Sequence, residues 1–257
     1  MKVVILAGGF GTRISEESVN KPKPMVEIGG RPILWHIMKI YEKYGLNDFV
    51  IALGYKGDII KDYFIKYSMI NSDFKINLSN QKIEFLNNNN ENFNVTLIDT
   101  GLNSMTGGRL FNLKDVLQDE DEFMLTYGDG VADVNLFELL KYHRSHMNIA
   151  TLTAVRPSAR FGNISMNRGG MVESFAEKPQ TEQGWINGGF FVFSREIFNF
   201  LRGPEEILER YPLEELTKVG KLGAYKHTGF WHCMDTIRDK NTLNEMWENN
   251  EAKWKIW

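Results

Sequence analysis

Cysteine is almost absent from this chain of 257 residues, since Cys233 stands alone, and an internal disulfide is therefore excluded. A protein without disulfides suits a reducing compartment, so we expect a cytoplasmic location. The N-terminal apolar run is too short for the hydrophobic part of a signal peptide and lacks a small-residue cleavage site. Long apolar runs are also missing, and nothing approaches the roughly 20 residues of a membrane span. We therefore expect no membrane partner.

Positive charge is not in excess either. Lysine and arginine together number 30 and the acidic residues 33, which gives a formal net charge of -3 at pH 7. Proteins that bind nucleic acids or anionic membranes usually carry a basic excess, so the composition argues against both kinds of partner. A polyanionic ligand would have to be held by a local cluster of cations.

The chain does contain a regular alternation of strand and helix patterns. Its hydrophobic fraction of 42% supplies a full core, and its length fits one large α/β domain or a main domain with a smaller lobe. Val3 to Ala7 has the continuous apolar character of a strand buried on both faces of a parallel sheet. Further strands are predicted at 49–53, 95–98, 123–126 and 149–155, and helices at 32–44, 57–66, 135–145 and 236–248. This order predicts a doubly wound α/β sheet.

The second half of the chain favours short β segments. Residues 163–166 and 171–176 flank a turn sequence and predict a hairpin, and residues 190–193 are strongly β-prone. We expect a small mixed lobe over the carboxyl edge of the sheet. The polar segment 71–94 could form a second hairpin, and we interpret it as an insertion without a catalytic role. The aromatic tail with Trp254 and Trp257 is expected to pack on a neighbouring surface or a subunit.

A glycine-rich turn follows the first strand. It runs Gly8-Gly9-Phe10-Gly11-Thr12-Arg13, and Lys21-Pro22-Lys23-Pro24 stands close behind. Glycine permits positive φ and lets backbone N–H groups approach an anion closely. Prolines on both sides of Lys23 restrict the backbone and aim its side chain. The combination favours a loop that holds a nucleoside triphosphate over a solvent-exposed turn.

Two other phosphate-binding loops fit this turn less well. The dinucleotide fingerprint needs a third glycine, where Ile14 stands, and an acidic residue near the end of the second strand, which reads Leu53-Gly54-Tyr55. The ATPase-type loop needs a glycine followed by lysine and then serine or threonine, which is absent. A nucleotidyltransferase loop is the third interpretation, with glycines under the nucleotide and Arg13 and Lys23 on the phosphates.

These residues resemble the signature of the sugar-1-phosphate nucleotidyltransferases. The resemblance covers nearly the whole chain and is closest to the branch that uses CTP and glucose 1-phosphate. The segment after Arg13 lacks the proline and threonine of most of the family, a change that recurs in the cytidylyl branch. The matching segments are 6–13, 21–39, Met105-Thr106-Gly107-Gly108-Arg109-Leu110, Tyr127-Gly128-Asp129, Arg160-Phe161-Gly162, Glu177-Lys178-Pro179, Ile186-Asn187-Gly188-Gly189-Phe190, Trp231 and 234–240.

The resemblance implies the fold of the nucleotide-diphospho-sugar transferases, a Rossmann-like doubly wound mixed sheet with a small β-rich sugar-binding lobe. It implies a single domain over residues 1–257, in which 1–130 mainly bind the nucleotide, 131–240 mainly bind the sugar phosphate, and 241–257 form the last helix and tail. The implied reaction joins CTP and glucose 1-phosphate to give CDP-glucose and pyrophosphate. The attacking phosphate is already anionic at neutral pH, with a second pKa of about 6, so no general base is required.

The resemblance also implies a role for each candidate residue. Arg13 would hold the β- and γ-phosphates, and Lys23 would bridge the α-phosphate and the incoming phosphate. Asp129 and Asp235 would bind Mg²⁺, which prefers carboxylates, phosphates and water. The expected nucleotide contacts are Leu6, Ala7, Gly8, Gly9, Gly11, Thr12, Arg13, Lys23, Thr106, Gly107, Gly108 and Gly128. The expected sugar-phosphate contacts are Gly162, Glu177, Lys178, Asn187 and Gly188, with Lys178 on the phosphate and Glu177 on sugar hydroxyls.

Several alternatives stay open at this point. The base could be that of UTP or dTTP, and the sugar could be mannose 1-phosphate. A non-catalytic regulatory subunit on the same scaffold is a further possibility, although Lys23, Asp129 and Asp235 are all present. Asp235 could instead cap the helix at Thr236. We also expect a homo-oligomer.

Simpler roles are favoured for the other polar candidates. Cys233 is expected to be a small core residue rather than a nucleophile. His143 and His146 are expected at a solvated helix end, because lysine, arginine and serine surround them.

Overall fold

The computed structural model describes residues 1–11, 14, 20–87, 90–157, 163–167, 169, 171–176 and 184–257. Its strands are β1 (Val3–Leu6), β2 (Glu27–Ile28), β3 (Arg31–Pro32), β4 (Asp48–Leu53), β5 (Phe74–Asn77), β6 (Lys82–Phe85), β7 (Asn94–Asp99), β8 (Glu122–Tyr127), β9 (Gly130–Ala132), β10 (Ala150–Val155), β11 (Asn163–Met166), β12 (Val172–Ala176), β13 (Ile186–Asn187), β14 (Phe191–Ser194), β15 (Leu222–Lys226) and β16 (Trp231–Cys233). Its α-helices are α1 (Ile33–Glu42), α2 (Gly57–Ile65), α3 (Tyr67–Asn71), α4 (Thr106–Phe111), α5 (Leu136–His146), α6 (Tyr211–Lys218) and α7 (Ile237–Glu248).

A mixed sheet organises the molecule. Its main path runs β10-β14-β8-β1-β4-β7, and β13 and β15 also pair with β10. Strands β8, β1, β4 and β7 run parallel to one another, whereas β14 is antiparallel to both β8 and β10. The predicted doubly wound mixed α/β sheet is confirmed.

Apolar side chains cover both faces of this sheet. Val3 and Ile5 of β1 belong to a core shared with α1, and Val4 and Leu6 belong to a second core shared with α4 and α6. Successive strand residues point to opposite faces, so a strand covered on both sides must be apolar throughout. The continuous apolar run of the sequence therefore has a direct structural cause.

The carboxyl ends of β1 and β8 meet at one edge of the sheet. The Gly128 amide donates to the Leu6 carbonyl at 3.0 Å, which places the turn after β8 beside the glycine-rich turn after β1. Strand β16 pairs antiparallel with β9, and the Met234 amide then donates to the Asp129 carbonyl at 2.8 Å. The pairing brings a late segment of the chain to this same edge.

Both predicted hairpins form. Strand β5 pairs with β6, and β11 pairs with β12. Apolar side chains on the first hairpin, such as Phe74, Ile76 and Phe85, are exposed. None of the helices in the described ranges has the length and apolar character needed to cross a membrane.

The aromatic tail packs against the chain's own helix α1. Trp254 is fully buried, and its Nε1 faces His36 Nδ1 at 3.4 Å. Rings of Trp35, Trp247 and Trp257 also surround the His36 imidazole, with centroids 4.8 to 6.2 Å away. We call these five residues the aromatic cluster. The tail therefore packs on a surface of its own chain, and the fully buried Trp254 is not available for a contact with another subunit.

Candidate active site

A small cavity opens at the sheet edge between the turns after β1 and β8. Its volume is about 130 Å³, and it is lined by Leu6, Ala7, Gly8, Gly9, Gly11, Lys23, Pro24, Thr106, Arg109, Tyr127, Gly128 and Asp129. A larger cavity of about 460 Å³ lies elsewhere, beside Ser194 and Arg195, and has none of the predicted site residues in its lining. The smaller cavity is the candidate site because the predicted nucleotide loop forms its wall.

Lys23 lies between two carboxylates at this cavity. Its Nζ is 2.6 Å from Asp129 Oδ2 and 2.5 Å from Asp235 Oδ1. Pro22 and Pro24 fix the backbone on either side, and Lys23 opens a 3-10 turn that ends at Met25. The structure brings together three residues that are far apart in the sequence.

Charge compensation keeps Lys23 protonated. Burial by itself would lower the pKa of its ammonium group, but attraction to Asp129 and hydrogen bonds to both carboxylates outweigh this and raise the pKa. The lysine therefore stays a fixed cation at the cavity wall. Lys21, by contrast, forms an exposed ion pair with Glu27 at 3.0 Å.

The N-cap of α7 is Thr236, the residue after Asp235. The Thr236 hydroxyl accepts from the Asp239 amide at 3.3 Å, and Asp239 Oδ2 accepts from the Thr236 amide at 2.8 Å. This reciprocal capping box starts α7 directly after Asp235. Thr236, rather than Asp235, therefore caps this helix.

Asp129, Cys233 and Asp235 place their donor atoms within 4.8 Å of one another. Burial, followed by the negative charge of Asp129, raises the pKa of the Cys233 thiol, so the thiol keeps its proton here. The two carboxylates offer hard oxygen ligands of the kind that Mg²⁺ takes alongside phosphates and water. This donor set fits a magnesium ion better than a thiolate-binding metal.

The three glycines of the loop differ in how strongly the structure requires glycine at their positions. Gly11 has a positive φ of 64°, as expected for such a turn. A Cβ on Gly8 would lie 2.2 Å from the guanidinium carbon of Arg109, so this position needs glycine for close packing. A Cβ on Gly9 would meet nothing within 4 Å. Positive φ, which the sequence suggested for the loop, is observed at Gly11.

Arg109 also lines the cavity, although it is not among the residues predicted to bind the nucleotide. Its guanidinium is buried and donates to the carbonyls of Gly8 at 2.8 Å, Leu53 at 2.9 Å and Gly101 at 2.8 Å. Burial lowers the pKa of Arg109 from its ordinary value, and the charge of Asp99 acts against this. Its place in a Gly-Gly-Arg segment was visible, but its contacts depend on turns that the sequence does not bring together.

The first turn of α4 packs tightly on residues 204–208. A Cβ on Gly108 would lie 1.8 Å from the Pro204 carbonyl oxygen, and the Gly108 amide donates to the Glu206 carbonyl at 2.9 Å. Gly107 approaches the same segment. These glycines therefore have a packing role, and their contacts with a base stay a prediction.

Asn187 contacts Tyr127, and Gly188 contacts Trp231. Asn187 Nδ2 donates to the Tyr127 hydroxyl at 3.0 Å, and its Oδ1 accepts from the Gly189 amide at 2.9 Å. The Gly188 carbonyl accepts from Trp231 Nε1 at 2.8 Å. The Asn187 side chain is thus fixed by the protein itself.

The arrangement has known relatives. A family profile described as nucleotidyl transferase matches residues 2–218 of this chain. The chain belongs to the nucleotidyl transferase family. The predicted family and the prediction of an enzyme are confirmed.

Individual relatives of this nucleotidyltransferase match along their whole length. The glucose-1-phosphate cytidylyltransferase of Salmonella typhimurium is 48% identical over 257 residues, which is 100% of both chains. The probable glucose-1-phosphate cytidylyltransferase of Bacillus subtilis is 43% identical over 258 residues, again 100% of both. Among solved structures, HddC from Yersinia pseudotuberculosis superposes with a TM-score of 0.70 at 25% identity, covering 96% of this chain and 99% of its own.

Some predicted residues of this nucleotidyltransferase lie outside the described ranges. They are Thr12, Arg13, Gly162, Glu177 and Lys178, and their roles stay predictions. The described members of the predicted nucleotide set, apart from Gly107 and Gly108, all line the cavity.

One expectation about a histidine was wrong. His143 is buried, and its Nδ1 contacts Thr151 Oγ1 at 2.9 Å, because α5 turns this side chain towards β10. Burial lowers the pKa of His143. His146, three residues later, is exposed as expected.

Proposed function

We propose that this nucleotidyltransferase transfers a cytidylyl group from CTP to α-D-glucose 1-phosphate, which gives CDP-glucose and pyrophosphate. The observation that carries the proposal is the Lys23 ammonium held 2.6 Å from Asp129 and 2.5 Å from Asp235 at the wall of a loop-lined cavity. Two full-length relatives bear the name of this activity, which supports the choice of base and sugar.

The reaction needs positioning and charge neutralisation more than proton transfer. An oxygen of the sugar phosphate attacks the α-phosphorus in line, and the bond from that phosphorus to the pyrophosphate oxygen breaks. The attacking oxygen already carries negative charge, so no side chain has to remove a proton. Lys23 would offset the charge that accumulates between the α-phosphate and the incoming phosphate.

Asp129 and Asp235 would hold Mg²⁺. The bound ion would neutralise phosphate charge and orient the triphosphate. Lys23 now pairs with both carboxylates, so the same side chain can serve the phosphates when the carboxylates take a metal. Arg13 would add a cation for the β- and γ-phosphates.

The two halves of the substrate would lie on opposite sides of Tyr127. On the nucleotide side, the cavity walls formed by residues 6–9, Gly11 and Gly128 support triphosphate binding through backbone groups. On the sugar side, the expected contacts are Gly162, Glu177, Lys178, Asn187 and Gly188. Residues 1–130 and 131–240 would supply these two halves within a single domain.

The test is pyrophosphate release with each nucleoside triphosphate crossed against several sugar 1-phosphates, with and without Mg²⁺. We expect CTP with glucose 1-phosphate and Mg²⁺ to give the highest kcat/KM. A higher value with UTP, dTTP or mannose 1-phosphate would replace the proposed substrates. No release with any pair would overturn the proposed function.

Variants of the two aspartates test the metal site. Asp129→Asn and Asp235→Asn should each abolish Mg²⁺-dependent release, because each removes an anionic ligand. Asp121→Asn is the control, since Asp121 is exposed and pairs with Arg195 at 3.0 Å. Full activity in either site variant would remove that residue from the metal site.

We also propose a homo-oligomer in the cytoplasm. Exposed apolar side chains on the β5–β6 hairpin support an association surface. Light scattering coupled to size exclusion measures the mass directly, and a mass of 29.7 kDa would mean a monomer.

A further inference from the structure

Glu209 binds two side chains that line the candidate cavity, Thr106 and Tyr127. Its Oε2 accepts from the Thr106 hydroxyl at 2.6 Å, and its Oε1 accepts from the Tyr127 hydroxyl. Thr106 starts α4 on the nucleotide side, and Tyr127 ends β8 at the turn that carries Asp129. One carboxylate thus accepts from two side chains that line the cavity.

The hydrogen bonds continue from Tyr127 to the sugar side. Its hydroxyl accepts from Asn187 Nδ2 at 3.0 Å, and the next residue, Gly188, accepts from Trp231 Nε1 at 2.8 Å. Trp231 belongs to β16, the strand that leads to Asp235. A continuous set of contacts therefore runs from the nucleotide side through Glu209 to the segments expected around the sugar phosphate.

The Tyr127 ring is closely packed on two sides. It lies so near Gly189 that a Cβ built there would be 3.1 Å from the ring, and the Phe191 ring packs edge to face with a centroid separation of 5.9 Å. Burial, followed by the charge of Glu209, raises the pKa of Tyr127, so the phenol stays protonated and acts as the donor. Acid-base chemistry by this phenol is not needed, and orientation is what its contacts determine.

We propose that Glu209 is a positioning residue, which fixes the separation of the nucleotide and sugar-phosphate sides by binding Thr106 and Tyr127 at once. This inference rests on the proposed function, because the two sides are defined by the two substrates. A nucleotidyl transfer depends on the alignment of two separately bound molecules, so a change in this separation lowers turnover more than binding.

The carboxylate suits this role through its two oxygens. Each carboxylate oxygen accepts from a different partner, and an ionised carboxylate has no proton that would compete with these two donors. A bond to a charged acceptor is also stronger than one between neutral groups. Thr106 Oγ1 accepts in turn from the Leu208 amide at 3.0 Å, so the hydroxyl orientation is fixed on both sides.

The experiment first compares kcat and KM of three variants with wild type. Glu209→Ala should lower kcat by about tenfold to hundredfold, since two half-buried hydroxyls lose their acceptor. The KM values for both substrates should change less than about threefold. Glu209→Gln should recover kcat to within about fivefold of wild type, because an amide still accepts from Tyr127 and donates to Thr106. Glu205→Ala, an exposed position in the same segment, is the matched control.

A double-mutant cycle with Tyr127→Phe separates positioning from a purely structural role. If Glu209 acts through Tyr127, the double variant should lose little more kcat than the larger single loss. A structural role would instead lower the melting temperature and the folded fraction, while kcat per folded molecule stayed at the wild-type value. Additive losses, equal losses in the Ala and Gln variants, or a kcat within threefold of wild type in Glu209→Ala would each overturn the inference.

The outcomes are distinct from those for the proposed function. Ratios to wild type are measured with whichever nucleotide and sugar phosphate the wild type converts best, so different substrates would change the proposed function and leave the positioning test intact. Wild-type protein that converts no pair would overturn both.

Discussion

Lys23 and His36 are both enclosed by segments far apart in the sequence, yet one keeps its charge and the other does not. Lys23 has a carboxylate on either side, at 2.6 and 2.5 Å. His36 has the Ile28 carbonyl at 2.8 Å, the Trp254 indole at 3.4 Å and aromatic rings around it. Burial lowers the pKa of His36 to about 4.

The difference shows what decides the state of an enclosed basic group. Desolvation opposes the cation in both places, and it is overcome where anions lie within hydrogen-bonding distance. In the aromatic cluster a neutral imidazole satisfies both ring nitrogens, since Nε2–H donates to Ile28 and Nδ1 accepts from Trp254. The candidate site therefore stabilises a charged side chain, whereas the aromatic cluster stabilises a neutral one.

The aromatic cluster should give the largest effect on folding. Trp254→Ala should lower the free energy of unfolding by about 3–5 kcal/mol, because it removes a large, fully buried side chain. Urea unfolding followed by fluorescence measures the change. Phe137→Ala, at a residue 62% exposed, is the control and should cost less than about 1 kcal/mol. Equal losses in the two variants would contradict the central place of Trp254.

The candidate site should give its largest effect on turnover. Lys23→Ala should lower kcat by about 10²–10³, as for other lost charge-stabilising donors. Pyrophosphate release under saturating substrates gives this value. Lys21→Ala is the matched control, because Lys21 lies two positions earlier in an exposed ion pair with Glu27, and it should change kcat less than about threefold. Unchanged turnover in Lys23→Ala would refute its role.

The pH dependence of stability tests the neutral state of His36. The pKa of about 4 in the folded protein lies below the usual histidine value of 6.5, so the unfolded chain binds the proton more readily between these values. The contribution of neutral His36 to the free energy of unfolding is therefore fully present above pH 6.5 and is lost as the pH falls towards 4. The His36 contribution should fall by about 2 kcal/mol from pH 7 to pH 5.

Urea unfolding of wild type and His36→Gln at both pH values isolates this contribution. His143 and His232 also have lowered pKa values, so they contribute in the same direction in both proteins. Glutamine keeps an N–H donor and does not titrate. A wild-type pH dependence no steeper than that of the variant would contradict a neutral His36.

Helix α7 connects the two regions, and its cap should give the smallest effect. Asp235 lies immediately before its N-cap, Thr236, and Trp247 lies near its far end. Thr236→Ala should lower the free energy of unfolding by about 1 kcal/mol, since an N-cap acceptor is lost. Thr236→Ser keeps that acceptor and should stay near wild type. Thermal or urea unfolding distinguishes the two, and equal stability of all three proteins would contradict the capping contact.

Local patterns predicted much of the fold and part of the candidate site. Strand β1 was visible as an apolar run, and Lys23 was predicted from the glycine-rich turn and the prolines on either side of it. The roles of Asp129 and Asp235 were predicted from the family resemblance. Asp129 follows β8 at the carboxyl edge of the parallel strands, whereas Asp235 reaches this edge through the antiparallel pairing of β16 with β9.

The missed features depend on contacts between distant segments. Glu209 is 103 residues from Thr106 and 82 from Tyr127, and neither neighbour of Glu209 in the sequence indicates such partners. The same holds for His143, whose burial depends on β10, and for Trp254, whose partner is a histidine near the other end of the chain. Sequence patterns report which face of an element is apolar, but not which distant polar group meets it.

The Arg109 guanidinium has a consequence for how the cavity meets its substrate. Gly8, Leu53 and Gly101 lie at the ends of three adjacent parallel strands, and one rigid, planar group ties their carbonyls together. The rim of the pocket is thereby preorganised, so less conformational entropy has to be lost when a triphosphate arrives. Arg109 therefore fixes the spacing of the loops that carry Gly8 and Gly101 before any ligand binds.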